Sequence, residues 1–405
     1  MRPYARAAFC VVVAGSLCIP PASAASARSE AIKDAASFLA SRQQPDGSFF
    51  RAGAPADGVS EVVAALATVG AEREVRARAM RYLEKSAVAR ARERGGYAGR
   101  ITQGIVAAGH DPRAFAGADV VAILESFYDP VTGRYDNGIY ANALAVLGVL
   151  AAKQQLPERA VDFIELNQCG DGGFGHEEGC LGGADVDTTS LVVAALRAAG
   201  IRSDEASVAR ARAWLLSARN ADGGFGARPG DRTNANSTGL AICAVVALGE
   251  DPESEPWTGG GAGPLAALLA LRHSGGGFRY IATQDAPNDY ATVQALPALA
   301  KIAYPLKHRD VAEDATGTLE PARGIHVGDA AKRRSAGVSP PSAAARVRSI
   351  REESRRLAAS EDPHDVATSK RERPGRGATP LAAAVLLALS GAPVLAHAVR
   401  GRRSP

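Results

Sequence analysis

Asp171-Gly172-Gly173-Phe174-Gly175 returns as Asp222-Gly223-Gly224-Phe225-Gly226, and a run of small and branched apolar residues follows each copy. Looser versions stand at Asp46-Gly47-Ser48-Phe49, Gly95-Gly96-Tyr97, Gly133-Arg134-Tyr135 and Gly276-Gly277-Phe278. Successive aromatics are roughly 40–50 residues apart, a period that marks stacked supersecondary units. The glycines permit a positive φ and a tight reversal, and each aromatic is placed to plug the gap between neighbouring units. No GKS/T and no strand pattern accompany these glycines, which argues against a phosphate cradle.

Outward from the glycines, each unit reads as helix, glycine-aromatic loop, helix. The first helices, over 29–43, 72–89, 115–128, 157–167, 204–219 and 264–273, are amphipathic. Their charges, among them Glu30, Lys33, Arg76, Arg81, Arg210 and Arg212, recur on one side, as an outer layer requires. The second helices, over 59–70, 101–108, 138–152, 187–199, 236–249 and 289–303, are almost uncharged and must be buried on most sides. The pattern predicts an all-α (α/α)6 toroid of six helix pairs with Gly-Gly-Phe loops, spanning 28–305.

The ends of the 405-residue chain read differently. Arg2 and Arg6 precede an apolar run from Ala7 to Ile19, and Ala22-Ser23-Ala24 offers a small-residue cleavage site, so 1–27 reads as a secretory signal peptide. Residues 306–379 are rich in Arg, Glu, Ser, Pro and Ala and read as a disordered charged stalk. Residues 380–405 read as one C-terminal transmembrane helix, with Leu381 to Val399 apolar and Arg400, Arg402 and Arg403 forming a basic cytoplasmic tail. The expectation is an exported protein at the cell surface, anchored in the plasma membrane. The net charge of +4 owes much to the stalk and tail, and no basic stripe interleaved with aromatics marks the repeats, so nucleic acid is not an expected partner. Outside the membrane Cys169 and Cys180, which bracket one glycine-rich loop, are expected to form a disulfide, and Cys243 to be a buried thiol.

The repeats resemble those of the prenyltransferase and squalene–hopene cyclase superfamily, whose phrase joins Gln to Asp-Gly-Gly-Phe/Trp. Gln43 with Asp46-Gly47, Gln168 with Asp171–Gly175, and Asn220 with Asp222–Gly226 carry the resemblance. The superfamily includes cyclases, protein prenyltransferases, thioester proteins and cobalamin carriers. Class II terpene cyclases carry Asp-x-Asp-Asp at the start of an inner helix, where this chain has Asp185-Val186-Asp187-Thr188-Thr189. The resemblance implies Asp187 as a general acid and Asp185 as its supporter, with Thr188 standing where the last Asp would be. Aromatics make up only 5% of the chain, few for holding carbocations, and one ring stands where similar cyclases generally use two. Polar residues recur at Asn236-Ser237-Thr238 and at Asn288-Asp289-Tyr290 with Thr292, which favours helix capping.

Protein prenyltransferases need a zinc site, but His110, His176 and His273 have no ligand spacing, and no metal is expected. The thioester run Cys-Gly-Glu-Gln is missing. If the inner helices run parallel, Ser60, Tyr140, Asn142, Asp187, Thr189, Asn236, Thr238, Asp289 and Tyr290 crowd one mouth. An apolar bowl with such a rim suits a bulky amphiphile. By resemblance to the carrier branch, cobalamin or a related corrinoid is the first expectation for that ligand, with no cofactor required and a membrane transporter as a further partner. The alternatives are a terpene cyclase or prenyltransferase-like enzyme using Asp187, and a surface module that presents its loops to another protein.

Overall fold

The computed structural model describes residues 21–307, all within one compact unit. Residues 1–20 and 308–405, which carry most of the expected signal, the stalk and the anchor, lie outside the described residues. Within the described part no helix is long and apolar enough to cross a membrane.

Among the described residues twelve α-helices alternate between two layers. The outer set is α1 (Pro21–Ser41), α3 (Arg73–Ala91), α5 (Val120–Glu125), α7 (Glu158–Leu166), α9 (Ala206–Ala218) and α11 (Pro264–Ala270). The inner set is α2 (Ala56–Thr68), α4 (Gly95–Ala107), α6 (Ile139–Ala151), α8 (Val186–Ala198), α10 (Ala235–Leu248) and α12 (Asp289–Leu299). Each inner helix packs on the next, and α12 packs on α2, so the inner layer closes into a ring. The first outer helix, α1, lies against α12 and covers the seam. Among the described residues the β-pairing is confined to isolated bridges, four of which join a residue one or two positions after an outer helix to the motif aromatic: Gln43 to Phe49, Gln168 to Phe174, Arg219 to Phe225, and Arg272 to Phe278.

Those bridges show what the repeated phrase does. The Gln168 amide donates to Gly172 O in its own loop and to Ser207 O at the start of the next outer helix, at 2.8 and 2.7 Å. Gln43 makes the same pair of bonds to Gly47 O and Val75 O. The aspartate closes the turn: Asp171 and Asp222 each accept the N–H of the residue two positions on. Phe49, Phe174, Phe225 and Phe278 are fully buried between units. Their backbone needs partners too, because a buried N–H left unpaired costs about 1–3 kcal/mol. Phe174 N–H donates to Thr189 Oγ1 at 2.9 Å, Phe225 to Thr238 at 3.0 Å, and Phe278 to Thr292 at 2.9 Å. In the irregular unit, Tyr135 N–H donates to Asn142 Oδ1 at 2.7 Å.

Three sequence expectations change. Gly95-Gly96-Tyr97 is the first turn of α4 rather than a loop. A Cβ on Gly95 would lie 2.1 Å from Tyr135 O, so the glycine serves close packing there. The helix expected over 115–128 shrinks to α5, because Ala116 and Gly117 both take positive φ and Asp119 caps the helix only afterwards. Helix α12 stops at Leu299 and not at 303; Lys301 turns left-handed and the chain folds back.

Glycine also decides how tightly the inner ring closes. A Cβ on Gly148 of α6 would stand 2.3 Å from Gly99 Cα of α4, and one on Gly104 would stand 2.7 Å from Ser60 Cβ of α2. Helices α2, α4 and α6 therefore meet backbone to backbone.

Candidate active site

The inner helices run parallel, so their N-termini gather at one mouth. At that mouth Gly58 lies near the Tyr290 hydroxyl, and Gly96 lies against Ala141. Asp185 is the N-cap of α8, in extended conformation: its Oδ1 accepts Thr188 N–H at 2.7 Å and its Oδ2 accepts the Thr188 hydroxyl at 2.9 Å. Thr188, where the family pattern has a third Asp, thus fixes the orientation of Asp185. Burial raises the Asp185 carboxyl, against these two bonds and the positive field of His176 and Arg228.

Asp187 follows in the first turn of α8. Burial pushes its carboxyl up to about 6, with the Ser237 hydroxyl pulling the other way and the charge of Asp185 pushing further up. Its Oδ1 is buried with no hydrogen-bond partner among the described residues. A carboxyl that keeps its proton up to about pH 6, with one oxygen open, can act as a proton donor.

Around it the ring lumen is more polar than the apolar helices suggested. On α4, Arg100 stands 3.6 Å from Glu61 and 3.5 Å from Asp57, both on α2. Burial works against the Arg100 charge, but these carboxylates outweigh it and hold the guanidinium protonated. Gln294 of α12 donates to Glu61 Oε1 at 3.3 Å. Ser190, Asn236, Gln103 and Gln294 each bury an oxygen with no partner among the described residues. In ring order α8 faces α2, so the Asp187 acid and the Glu61–Arg100 pair occupy opposite walls.

Aromatic faces also converge here. Tyr140, second residue of α6, lies within the field of Asp187, Asp185, Glu61 and Arg100, and burial pushes its phenol up to about 12. Tyr280 senses Asp187, and Tyr290 packs against Phe50 with ring centroids 5.7 Å apart. His176 stacks on Tyr140 at 5.3 Å, and its carbonyl accepts Ile139 N–H at 2.8 Å, so the 169–180 loop positions the start of α6. The Cys169–Cys180 disulfide closes that loop, with Cα atoms 5.4 Å apart.

The structure thus brings together Asp185, Asp187, Tyr140, Asn236 and Tyr290 from the expected rim. It places the others elsewhere. Thr189, Thr238 and Asn142 are fully buried and hold the N–H groups of Phe174, Phe225 and Tyr135. Ser60 is buried in the α2–α4 seam against Gly104. Asp289 binds Arg42 of the seam segment through both its oxygens, at 3.1 and 3.3 Å. Sequence reasoning missed Glu61, Arg100, Gln103, Tyr280 and Gln294. The available signal was a charge on a helix that is otherwise apolar, since such a charge is kept only with a partner. No cluster of three or more metal-ligating side chains occurs among the described residues, and Cys243 is a buried thiol held protonated by its apolar surroundings.

Comparison with known proteins agrees with this architecture. The squalene–hopene cyclase C-terminal domain matches residues 114–249, and the prenyltransferase alpha-alpha toroid domain matches residues 4–104. The chain belongs to the prenyltransferase and terpenoid cyclase-like toroid superfamily. The first of these matches contains Asp185, Asp187 and the loop before them. Among curated proteins, a drimenyl diphosphate synthase of Streptantibioticus cattleyicolor is 36% identical over 97 residues, covering 24% of this chain and 18% of that one. A second, from Streptomyces showdoensis, is 33% identical over 113 residues, covering 28% and 21%. The chain therefore spans about a fifth of the length of the curated relatives it matches. A solved type II terpene cyclase, MstE from Scytonema, in complex with geranylgeranyl dihydroxybenzoate, superposes with TM-score 0.51 at 15% identity. That superposition covers 69% of this chain and 98% of the cyclase. A glycosidase in complex with glucose superposes with TM-score 0.50 at 13% identity over 70% of this chain and 100% of that one. These two likenesses concern the fold.

Proposed function

We propose that this toroid is a terpene cyclase-like enzyme that starts the cyclisation of an isoprenoid by protonating a carbon–carbon double bond from Asp187. The observation that carries the reading is the Asp187 carboxyl itself: buried, raised to about 6, and with one oxygen unpartnered beside Tyr140 and Tyr280. A carboxylic acid in water is too weakly acidic to protonate an alkene at a useful rate. The protein supplies three aids. Burial keeps the proton on until the substrate is seated. The N-terminus of α8 stabilises the carboxylate left behind. Aromatic faces meet the tertiary cation as it forms. The proton forms a C–H bond at the CH carbon of the terminal double bond and leaves the tertiary cation on its dimethyl carbon; the next double bond closes on that cation, and loss of a proton from the cyclised cation ends the sequence.

The relatives' printed activities point the same way, since both curated matches are drimenyl diphosphate synthases and the superposed ring is a type II terpene cyclase. That solved cyclase is spanned almost entirely by a length equal to this toroid, so a single ring is consistent with the reading. The corrinoid expectation has less support, because Thr189, Thr238, Asp289 and the Asn142 Oδ1 are engaged by the fold itself and Ser60 is buried in the α2–α4 seam. The purified chain is to be incubated with farnesyl and geranylgeranyl diphosphate. Cyclic products from the wild type, absent from a folded Asp187→Asn variant, support the proposal; products made equally by both remove Asp187 from it. For the terminal segments, the proposal of an exported and anchored chain is checked by fractionating cells that express the full sequence.

A further inference from the structure

After α12 the chain does not leave the ring but turns back beneath it. Lys301 takes a positive φ, and Leu306 then packs against Ala64 and Ala67 of α2 and Ala107 of α4, buried to 2% exposure. Ile302 and Tyr304 lie against this small cluster, and Tyr304 also touches the main core. These contacts are at the C-terminal ends of the inner helices, opposite the mouth that holds Asp187. The Tyr304 ring is half-buried, and its phenol senses Glu61 of α2, Arg100 of α4, Tyr140 of α6 and Cys243 of α10. A half-buried ring that touches both the small α2–α4 cluster and the main core stands at the foot of the inner helices. The alanines of the last turns of α2 and α4 leave room for it.

We propose that Tyr304 is the floor of the lumen and sets the length of the isoprenoid chain that fits above it. The inference rests on the cyclase reading and adds a specificity-determining residue to it. Asp187 is the second residue of α8 and Ala198 its last, so the wall below the acid is on the order of 16 Å long at 1.5 Å per residue. A tyrosine rising into that depth from below removes a share of it comparable to one end of a prenyl chain. The helix ends are fixed by packing, whereas Tyr304 belongs to a connecting segment, so shortening it deepens the lumen without moving a wall. Tyr304→Phe keeps the ring and its volume.

The test measures binding of geranyl, farnesyl and geranylgeranyl diphosphate to the full chain, by thermal shift and by displacement of a bound fluorophore. The variants are Tyr304→Ala, Tyr304→Leu and Tyr304→Phe, each checked for fold by circular dichroism. The proposal expects a wild type that favours a shorter member of the series, with Tyr304→Phe unchanged. Tyr304→Ala, or the milder Tyr304→Leu if the alanine variant unfolds, moves the preference toward the next longer chain by on the order of tenfold, the scale for one or two methylenes in an apolar pocket. Wild-type binding with the same preference in folded Tyr304→Leu overturns the floor and leaves the cyclase reading standing. A wild type and variants that all bind none of the three overturn the isoprenoid reading, and the floor with it.

Discussion

Asp187 is the residue on which the chemistry turns, and its ionisation has two opposite consequences. Its folded-state carboxyl is raised to about 6, above the ordinary 3.8, so the fold is favoured where the group is protonated. That contribution is complete below about pH 4 and is lost as pH rises through about 6. Asp187→Asn is therefore expected to stabilise the protein at pH 7, by up to ~3 kcal/mol for a two-unit shift, and to change little at pH 4. Urea unfolding at the two pH values measures this. Turnover depends on the same proton in the other sense: the wild-type rate should fall as pH rises past about 6, and a rate rising through that range would contradict an acid role. Asp185 and Asp187 were legible in the sequence because their spacing matches a known pattern. The threonines behind them misled for a physical reason. A hydroxyl that satisfies a buried N–H and one that faces a ligand look identical in sequence, and only the partner tells them apart. Arg100 went unread because the second helix of its unit was expected to begin one residue after it, and Glu61 because it stands alone in the otherwise apolar helix expected over 59–70.

At the scale of the element, glycine acts through contact more than through flexibility. Gly148 lies inside α6, where replacing glycine by alanine ordinarily gains about 1 kcal/mol of helix propensity. Here the new methyl would meet Gly99 Cα at 2.3 Å, and overpacking of a rigid backbone costs about 1–3 kcal/mol or more. Gly148→Ala should therefore destabilise, with chemical denaturation as the readout, and a neutral or stabilised variant would show that α4 and α6 can separate. The 169–180 loop makes a second element-scale case. Closing a loop of this length is worth about 3 kcal/mol, and this loop also carries the His176 carbonyl that holds the start of α6. Cys180→Ser should lower stability by roughly 2–3 kcal/mol and loosen Tyr140, which quenching of tyrosine fluorescence reports. Most helix spans could be read from apolar runs and flanking glycines. Gly95-Gly96-Tyr97 could not, because the same three residue types serve a loop in one unit and a helix–helix contact in another.

The whole molecule is a ring, and its closure is the property the repeat alone did not specify. A period of helix pairs is compatible with an open solenoid; closure needs α12 on α2 and α1 over the seam. Two kinds of contact cross that seam. Arg42–Asp289 is a partly exposed ion pair, and such pairs contribute at most about 1 kcal/mol. Leu39, with Ala31 and Ala35, is fully buried on α1, and losing a buried leucine side chain costs about 2–5 kcal/mol. Thermal unfolding should thus be far more sensitive to Leu39→Ala than to Arg42→Ala, and the reverse order would mean that charge, not burial, closes the ring. Closure matters to function because it puts the Asp187 wall opposite the Glu61–Arg100 wall with one mouth between them.

The measurement that bears most directly on Asp187 as the acid is cyclisation of an unlabelled prenyl diphosphate in D2O, with the position of deuterium in the product read by NMR. A carboxyl that exchanges with solvent and then protonates the terminal alkene places one deuterium on the ring methylene next to the gem-dimethyl carbon, and Asp187→Asn, still folded, yields no such product. A cyclic product without deuterium at that methylene, or one formed unchanged by Asp187→Asn, would contradict the account.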